Sequence, residues 1–172
     1  MPSPTLTITD DAVMTALRSF LLTCVPAGVE VIQAQDNRVP EPKGADFIVM
    51  TPTMRERMAT NQDTWAPTAA PLTLERGHST SITVQLDIHG PNGADNAQVI
   101  STLLRDAYAC DAMQGTGIAP LYATDGQQMP FVNAEKQYEN RWTMKVTLGG
   151  APIVSTAQDF AATLVATVKP VT

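Results

Sequence analysis

Residues 79–89 read STSITVQLDIH, and from Ser81 onward their polar and apolar side chains alternate strictly. Alternation with a period of two is typical of a β-strand that buries one face and leaves the other to solvent. The pattern therefore predicts a long, half-buried strand. Its inward face is Ile82, Val84, Leu86 and Ile88, and its outward face is Ser81, Thr83, Gln85, Asp87 and His89.

A second long strand is predicted over residues 138–148, YENRWTMKVTL, which Gly149-Gly150-Ala151-Pro152 should end. Its two faces are Trp142, Met144, Val146 and Leu148 against Arg141, Thr143, Lys145 and Thr147. Shorter extended segments are predicted at 29–34, 47–51 and 118–122. We expect 47–51 to be the return strand after 29–34, with Pro52 stopping it. Residues 160–168 fit a closing strand or a poor helix, and we favour the strand.

Two amphipathic helices are predicted by apolar residues at helical spacing. The first covers residues 10–23, with Thr9 or Asp10 as its cap and Val13, Ala16, Leu17, Phe20 and Leu21 on its inner face. The second is capped by Asp95 and continues to about Cys110, and its predicted inner face is Val99, Ile100, Leu103, Leu104, Ala107 and Tyr108. Cys24 and Cys110 each lie in one of these patterns, so both are predicted to be reduced core residues.

These segments predict an α+β fold, in which two main helices pack on one face of a largely antiparallel or mixed sheet of five or six strands. A length of 172 residues fits one domain, covering residues 1–172. Residues 53–74 have a weak pattern and are predicted to form a further strand or extended arm followed by a loop.

The balance of 11 Lys and Arg against 17 Asp and Glu gives a net charge of −6, which disfavours binding to nucleic acid through phosphates. Only 16% of the residues are charged. Such a surface is either covered in part by partners or merely rich in Thr, Ala and Gln. The N-terminus MPSPTLTITDD lacks the basic and apolar regions of a signal peptide, and no run of about 18 apolar residues occurs. We expect a soluble protein made in a cytoplasm.

Catalytic candidates are few, because the chain has only two histidines. His89 follows Asp87 by two residues, so both side chains would lie on one strand face and could hydrogen-bond as the orienting pair of a small hydrolase. The favoured interpretation is a strand-end histidine that meets water or a partner subunit. The sequence contains no HExxH motif, no second Cys/His pair and no EF-hand spacing, so neither a metal site nor a cofactor is predicted.

Polar segments framed by Pro and Gly border the predicted strands, and Arg and aromatic residues in such places anchor protein interfaces. The most conspicuous is residues 36–44, DNRVPEPKG, whose prolines stiffen the loop and lower the entropy cost of docking. For Trp142 we favour the core. The residues predicted to lie at an interface are Asn37, Arg38, Pro40, Pro42, His89, Pro91, Tyr122 and Arg141.

The ordered blocks QDNRVPEPKGADFIVMTP, SITVQLDIHGPNGADNAQVISTLLRDAYACD, IAPLYATDGQQMPFVNAEKQYENRWTM and QDFA resemble a family of tailed-bacteriophage neck or tail terminator proteins, common in phages with contractile tails. The resemblance covers most of residues 29–165. It implies an α+β subunit without catalytic residues. The subunit would assemble into a ring, expected to be a hexamer, that closes the head-proximal end of the tail tube and joins it to the head-neck connector.

The resemblance also implies the partners. They are other copies of the chain, the tail tube and sheath proteins, and the head-completion or connector proteins, with no membrane involved. The protein would be found in the virion, at the neck, and in the host cytoplasm during assembly. Genomic DNA would pass through the ring without specific binding, which is compatible with the acidic composition. The alternative is a head-completion protein, acting as a head-tail adaptor, or a tube-related structural protein.

Overall fold

The computed structural model describes residues 3–35, 42–66, 72–132 and 138–158. The described residues form helices and mostly antiparallel strands, which confirms the predicted α+β class. In chain order they are β1 Thr5–Leu6, α1 Asp10–Cys24, β2 Glu30–Gln33, β3 Phe47–Arg57, β4 Gln62–Ala66, β5 Thr73–Gly77, β6 Thr80–His89, α2 Gly93–Leu104, α3 Ala107–Ala112, β7 Ile118–Ala123, β8 Gln127–Gln128, β9 Phe131–Val132, β10 Tyr138–Glu139, β11 Arg141–Gly150 and β12 Ile153–Ala157.

A six-stranded central sheet has the order β2-β3-β6-β11-β7, and β8 also pairs with β11. Strand β6 lies in the middle, antiparallel to both β3 and β11. The predicted return strand is wrong in direction, because β3 runs parallel to β2, with Val31 opposite Ile48. A parallel pair needs a connection that brings the chain back to the starting end, which residues 34–46 provide.

Pro52 does not end β3, which continues through it to Arg57. The pairing of β3 with β6 shifts register between Pro52 and Met54. Such a bulge interrupts the ladder locally, so a residue without an N–H is tolerated there. The Thr53 hydroxyl donates to the carbonyl of Thr83 at 3.0 Å beside the bulge. The expectation that Pro52 would stop the strand is therefore wrong.

The helices cover one face of the central sheet and bury the predicted apolar faces of β6 and β11. Helix α1 agrees with its prediction, since Thr9 accepts a hydrogen bond from the Ala12 N–H as N-cap. All five predicted inner residues of α1 are buried, namely Val13, Ala16, Leu17, Phe20 and Leu21. Trp142 is half-buried and packs against this core, as predicted.

The second predicted helix is divided at Arg105-Asp106 into α2 and α3, and Asp106 caps α3. Asp95 lies in the first turn of α2 and is not its cap, which is Asn92. Val99 and Tyr108, predicted to face inward, are each 42% exposed. The break resets the helical period, and the buried face of α2 includes small polar residues that an apolar pattern overlooks. That face is Gly93, Asn96, Ala97, Ile100, Ser101 and Leu104.

The break between α2 and α3 also changes where one of the two cysteines lies. Cys24 is buried as predicted, and burial raises the pKa of its thiol. Cys110 lies on the exposed side of α3, so its predicted core position is wrong. Both cysteines are free.

A second sheet with the order β1-β12-β5-β4 was not predicted. It begins where the central sheet ends, because β5 leads into β6 and β11 leads into β12. Strand β11 includes Gly149 and Gly150 and ends before Ala151 and Pro152, within the segment predicted to end it. Residues 53–74, predicted as a further strand or extended arm followed by a loop, contain the end of β3, β4 and the start of β5. The strand predicted at 160–168 lies outside the described residues.

Candidate assembly interface

The eight predicted interface residues do not form one patch. Asn37, Arg38 and Pro40 lie outside the described residues, and Pro42 is half-buried where the description resumes. His89 and Pro91 line a cleft at one end of the central sheet. Arg141 is engaged in a network within the subunit, and Tyr122 lies on the edge strand β7.

The chain that follows Pro42 is fixed against the rest of the fold. The Lys43 N–H donates to the Glu30 carboxylate at 2.8 Å, at the start of β2. The Asp46 carboxylate accepts from both the backbone and the side-chain amide of Asn92, at 2.9 and 2.8 Å. Gly90 has φ +105°, and a Cβ there would collide with the backbone of Ala45. The residues from Lys43 to Asp46, just before β3, are therefore held in place by the rest of the fold.

The cleft at this end of the sheet has a volume of about 530 Å³. The His89 ring stacks on Phe47, with centroids 4.5 Å apart and an angle of 6° between the planes. Its Nδ1 is buried without a hydrogen-bond partner among the described residues and lies 4.0 Å from the Glu139 carboxylate. Burial, helped by the charge of Arg141, lowers the pKa of His89. The imidazole is therefore neutral at pH 7.

Asp87 and His89 do not form the orienting pair that a hydrolase would need. The Asp87 Oδ1 accepts from Arg141 Nε and Nη2 at 3.0 and 2.9 Å and from the Thr143 hydroxyl at 2.6 Å. Its Oδ2 accepts from Gln85 at 2.9 Å. Burial alone would raise the pKa of Asp87, but these hydrogen bonds hold it below its usual value. The predicted outward carboxylate is buried, because its partners on β6 and β11 enclose it.

The same network changes the interpretation of Arg141. Its guanidinium was predicted to anchor a partner, and two of its nitrogens are instead committed to Asp87. The side chain keeps 29% of its surface exposed. Arg141 therefore links β11 to β6 within the subunit, and its place at an interface stays a prediction.

Tyr122 is exposed, as its predicted role requires, and it lies on the sheet face away from the helices. Across that face it aligns with Thr147 on β11, Thr83 on β6 and Met54 on β3. Met54, Leu121 and Tyr138 are also strongly exposed, although they are not among the eight predicted interface residues. Met54 could have been found as a large apolar side chain two residues after Pro52, because a bulge at the proline turns that side chain toward the polar face.

No cluster of three or more His, Cys, Asp or Glu side chains suited to a metal ion occurs in the described ranges. Among the described helices, none is both long enough and apolar enough to cross a membrane.

Comparison with known proteins gives one family match. A family model described as phage neck terminator protein matches residues 11–171. A comparison with curated proteins gives no significant match. The match covers nearly the whole chain and extends beyond the range 29–165 in which the sequence blocks suggested a resemblance.

Proposed function

Because this chain belongs to the phage neck terminator protein family, a family of structural virion proteins, we propose that it forms a closed ring at the head-proximal end of the tail tube. The ring contains six copies and joins the tube to the head-neck connector. The observation that carries this proposal is the family match over residues 11–171. The subunit is thus a component of the neck that acts through its surfaces.

The geometry supports a role in assembly more than a role in catalysis. Asp87 and His89, the pair that suggested a hydrolase, each interact with a different residue. The Asp87 carboxylate binds Arg141, and the His89 imidazole stacks on Phe47. Exposed large apolar side chains occur on the central sheet, the helices and the second sheet. A subunit that meets copies of itself and two further kinds of protein needs several such surfaces.

The proposed partners are the tail tube and sheath proteins below the ring and the head-completion or connector proteins above it. DNA passes through the lumen, and the net charge of −6 disfavours its retention there. The protein assembles in the host cytoplasm and remains in the virion.

Two measurements test the proposal. Light scattering and electron microscopy of the purified chain should give rings of six copies, and antibody labelling of intact particles should mark the neck. A protein that stays monomeric at every concentration and is absent from particles would refute the proposal. Label at the distal tail or along the tube would refute the assigned position while leaving a structural role.

A further inference from the structure

Both edges of the central sheet are poorly suited to pairing with a strand of another copy. At β2, the Arg18 side chain donates to the Val31 carbonyl at 2.9 Å and so occupies an acceptor of the edge. At β7, Pro120 has no N–H to donate, and a register shift interrupts the pairing beside it. Such edges resist the addition of a further strand. The edges of the central sheet are therefore poor sites for a contact between copies, and its exposed face is a better one.

The open face is the side of the central sheet away from the helices, represented by Thr51, Met54, Thr83, Lys145, Thr147 and Tyr122. Met54 stands at one margin, on β3, and Tyr122 at the other, on β7, beside Leu121. Three strand spacings of about 4.8 Å put these margins roughly 14 Å apart. The residues between them include the short side chains of Thr83 and Thr147. The open face thus has large apolar side chains at its two margins and short polar ones between them, over a width comparable to the diameter of an α-helix with side chains, roughly 10–12 Å.

The open face carries two exposed charges without an ion pair to any described residue: the carboxylate of Glu56 on β3, opposite Ser81, and the ammonium group of Lys145. A lysine covered by a partner loses hydration and is tolerated only when a carboxylate or similar acceptor replaces the water. The partner of this face should therefore present an acid among apolar side chains.

The helix face, on the opposite side of the subunit, has that chemistry. It is represented by Leu22 on α1, Val99 on α2 and Tyr108 on α3, each about two-fifths exposed. Asp95 lies one turn before Val99, and Asp111 lies three residues after Tyr108. Neither carboxylate forms an ion pair within the described part of the chain. One surface thus offers an unpaired cation and the other offers unpaired anions, each beside exposed apolar groups.

We propose that the helix face of one copy packs on the open face of the next, so that Lys145 meets the acids of α2 and α3. This inference rests on the proposed ring and assigns its contact. The contact joins two unlike surfaces, so each copy keeps one of each free and the addition of copies continues until the ring closes. The occupant of the open face is a second copy of this chain.

The test uses two variants that each block one face of the full-length protein. The open-face variant is Tyr122→Glu with Lys145→Glu, and the helix-face variant is Asp95→Asn with Val99→Lys. These side chains are all exposed, so circular dichroism and thermal melting should match the wild type. In light scattering, each variant alone should fall from the mass of the ring to that of one chain.

A mixture of the two variants is the decisive sample, because each retains the face that the other lacks. Mixing them at equal concentration should give a dimer of one copy of each and nothing larger. Met58→Glu is the matched control, since Met58 is equally exposed but lies on the β3–β4 connection, outside both faces. This control should form rings like the wild type.

The other outcomes separate this inference from the proposed function. If the wild type and both variants form rings, the assigned contact is wrong and the ring stands. If the mixed variants stay as single chains, the two faces do not bind each other and the inference fails. A wild type that never associates overturns both the ring and the contact. The open-face variant could also form rings that no longer bind purified tail tubes. In that case the open face binds the tube protein, and the inference is overturned.

Discussion

At the scale of single residues, the carboxylate of Asp87 decides how β6 and β11 are held together on the open side of the sheet. Its hydrogen bonds come from Gln85 on its own strand and from Arg141 and Thr143 on the neighbouring one. Hydrogen bonds to a charged group are shorter and stronger than those between neutral groups. A residue that the sequence offered as a catalytic candidate therefore acts as a structural link.

Asp87→Asn should lower the free energy of unfolding by about 1.5–3 kcal/mol, since it removes the charge to which three side chains donate. Chemical denaturation of the isolated chain measures this loss. The control is Asp125→Asn, which removes an exposed ion pair with Arg105. Exposed pairs contribute roughly 0.2–1 kcal/mol, so the control should change stability much less. Equal effects of the two substitutions would contradict the structural role of Asp87.

The lowered pKa of His89 makes a second residue-scale prediction. In the unfolded chain the imidazole takes up a proton near its usual pKa of about 6.5, whereas the folded state takes it up only at lower pH. The unfolded state therefore binds more protons in this window, and stability should fall as the pH drops from about 7 toward 5. Melting temperatures across this range should fall more in the wild type than in His89→Gln. A His89→Gln slope equal to that of the wild type would count against this origin.

At the scale of elements, α1 is held by signals within its own sequence. Its N-cap, apolar stripe and two acids in the first turn all agree on one helix. Helix α2 lacks a side-chain hydrogen bond at its N-cap and is followed after two residues by α3. The element with consistent local signals was predicted well, and the element without them was predicted with the wrong length and rotation.

Thr9→Ala should lower the free energy of unfolding by about 1 kcal/mol, because it removes the acceptor for the Ala12 N–H. For a chain of this size, such a loss lowers the melting temperature by roughly 2–4 °C. The matched control is Thr15→Ala in the exposed middle of α1, where alanine favours the helix and no cap is lost. A loss in the control as large as that of Thr9→Ala would show that the cap is not the cause.

At the scale of the whole molecule, the second sheet shows how much surface remains for partners. Leu74 is the one buried residue in the described strands of that sheet, and Trp65 on β4 is 52% exposed. Small sheets need a covered apolar face for independent stability, and this one is attached to the central sheet through β5–β6 and β11–β12. Such extended strands suit a protein whose surfaces meet other components of a particle.

Arg38→Ala with Pro40→Ala should weaken assembly more than folding, because the sequence places both residues in a loop and not in the core. Light scattering should show fewer complete rings, while the melting temperature of the isolated subunit changes little. Pro130→Ala is a suitable control, since Pro130 is an exposed proline on the β8–β9 connection. A fall in melting temperature that matches the loss of assembly would mean that the loop stabilises the subunit itself.

The sequence by itself determined α1, β6 and β11 with their inner faces, and with them the α+β class. Burial on one side of a helix or strand leaves a period in the local sequence, and that period can be seen without any partner. Of the predicted interface residues, Tyr122 is exposed and His89 and Pro91 line a cleft, and their place at an interface stays a prediction.

Only the tertiary structure decided the parallel pairing of β2 with β3, the passage of β3 through Pro52, the second sheet and the partners of Asp87. Arg141 is 54 residues from Asp87 along the chain, and Thr143 is 56 residues away. Strand partners, bulges and ion pairs depend on groups that meet only after folding, so no local period records them. That is why a carboxylate two residues from a histidine binds an arginine on the next strand.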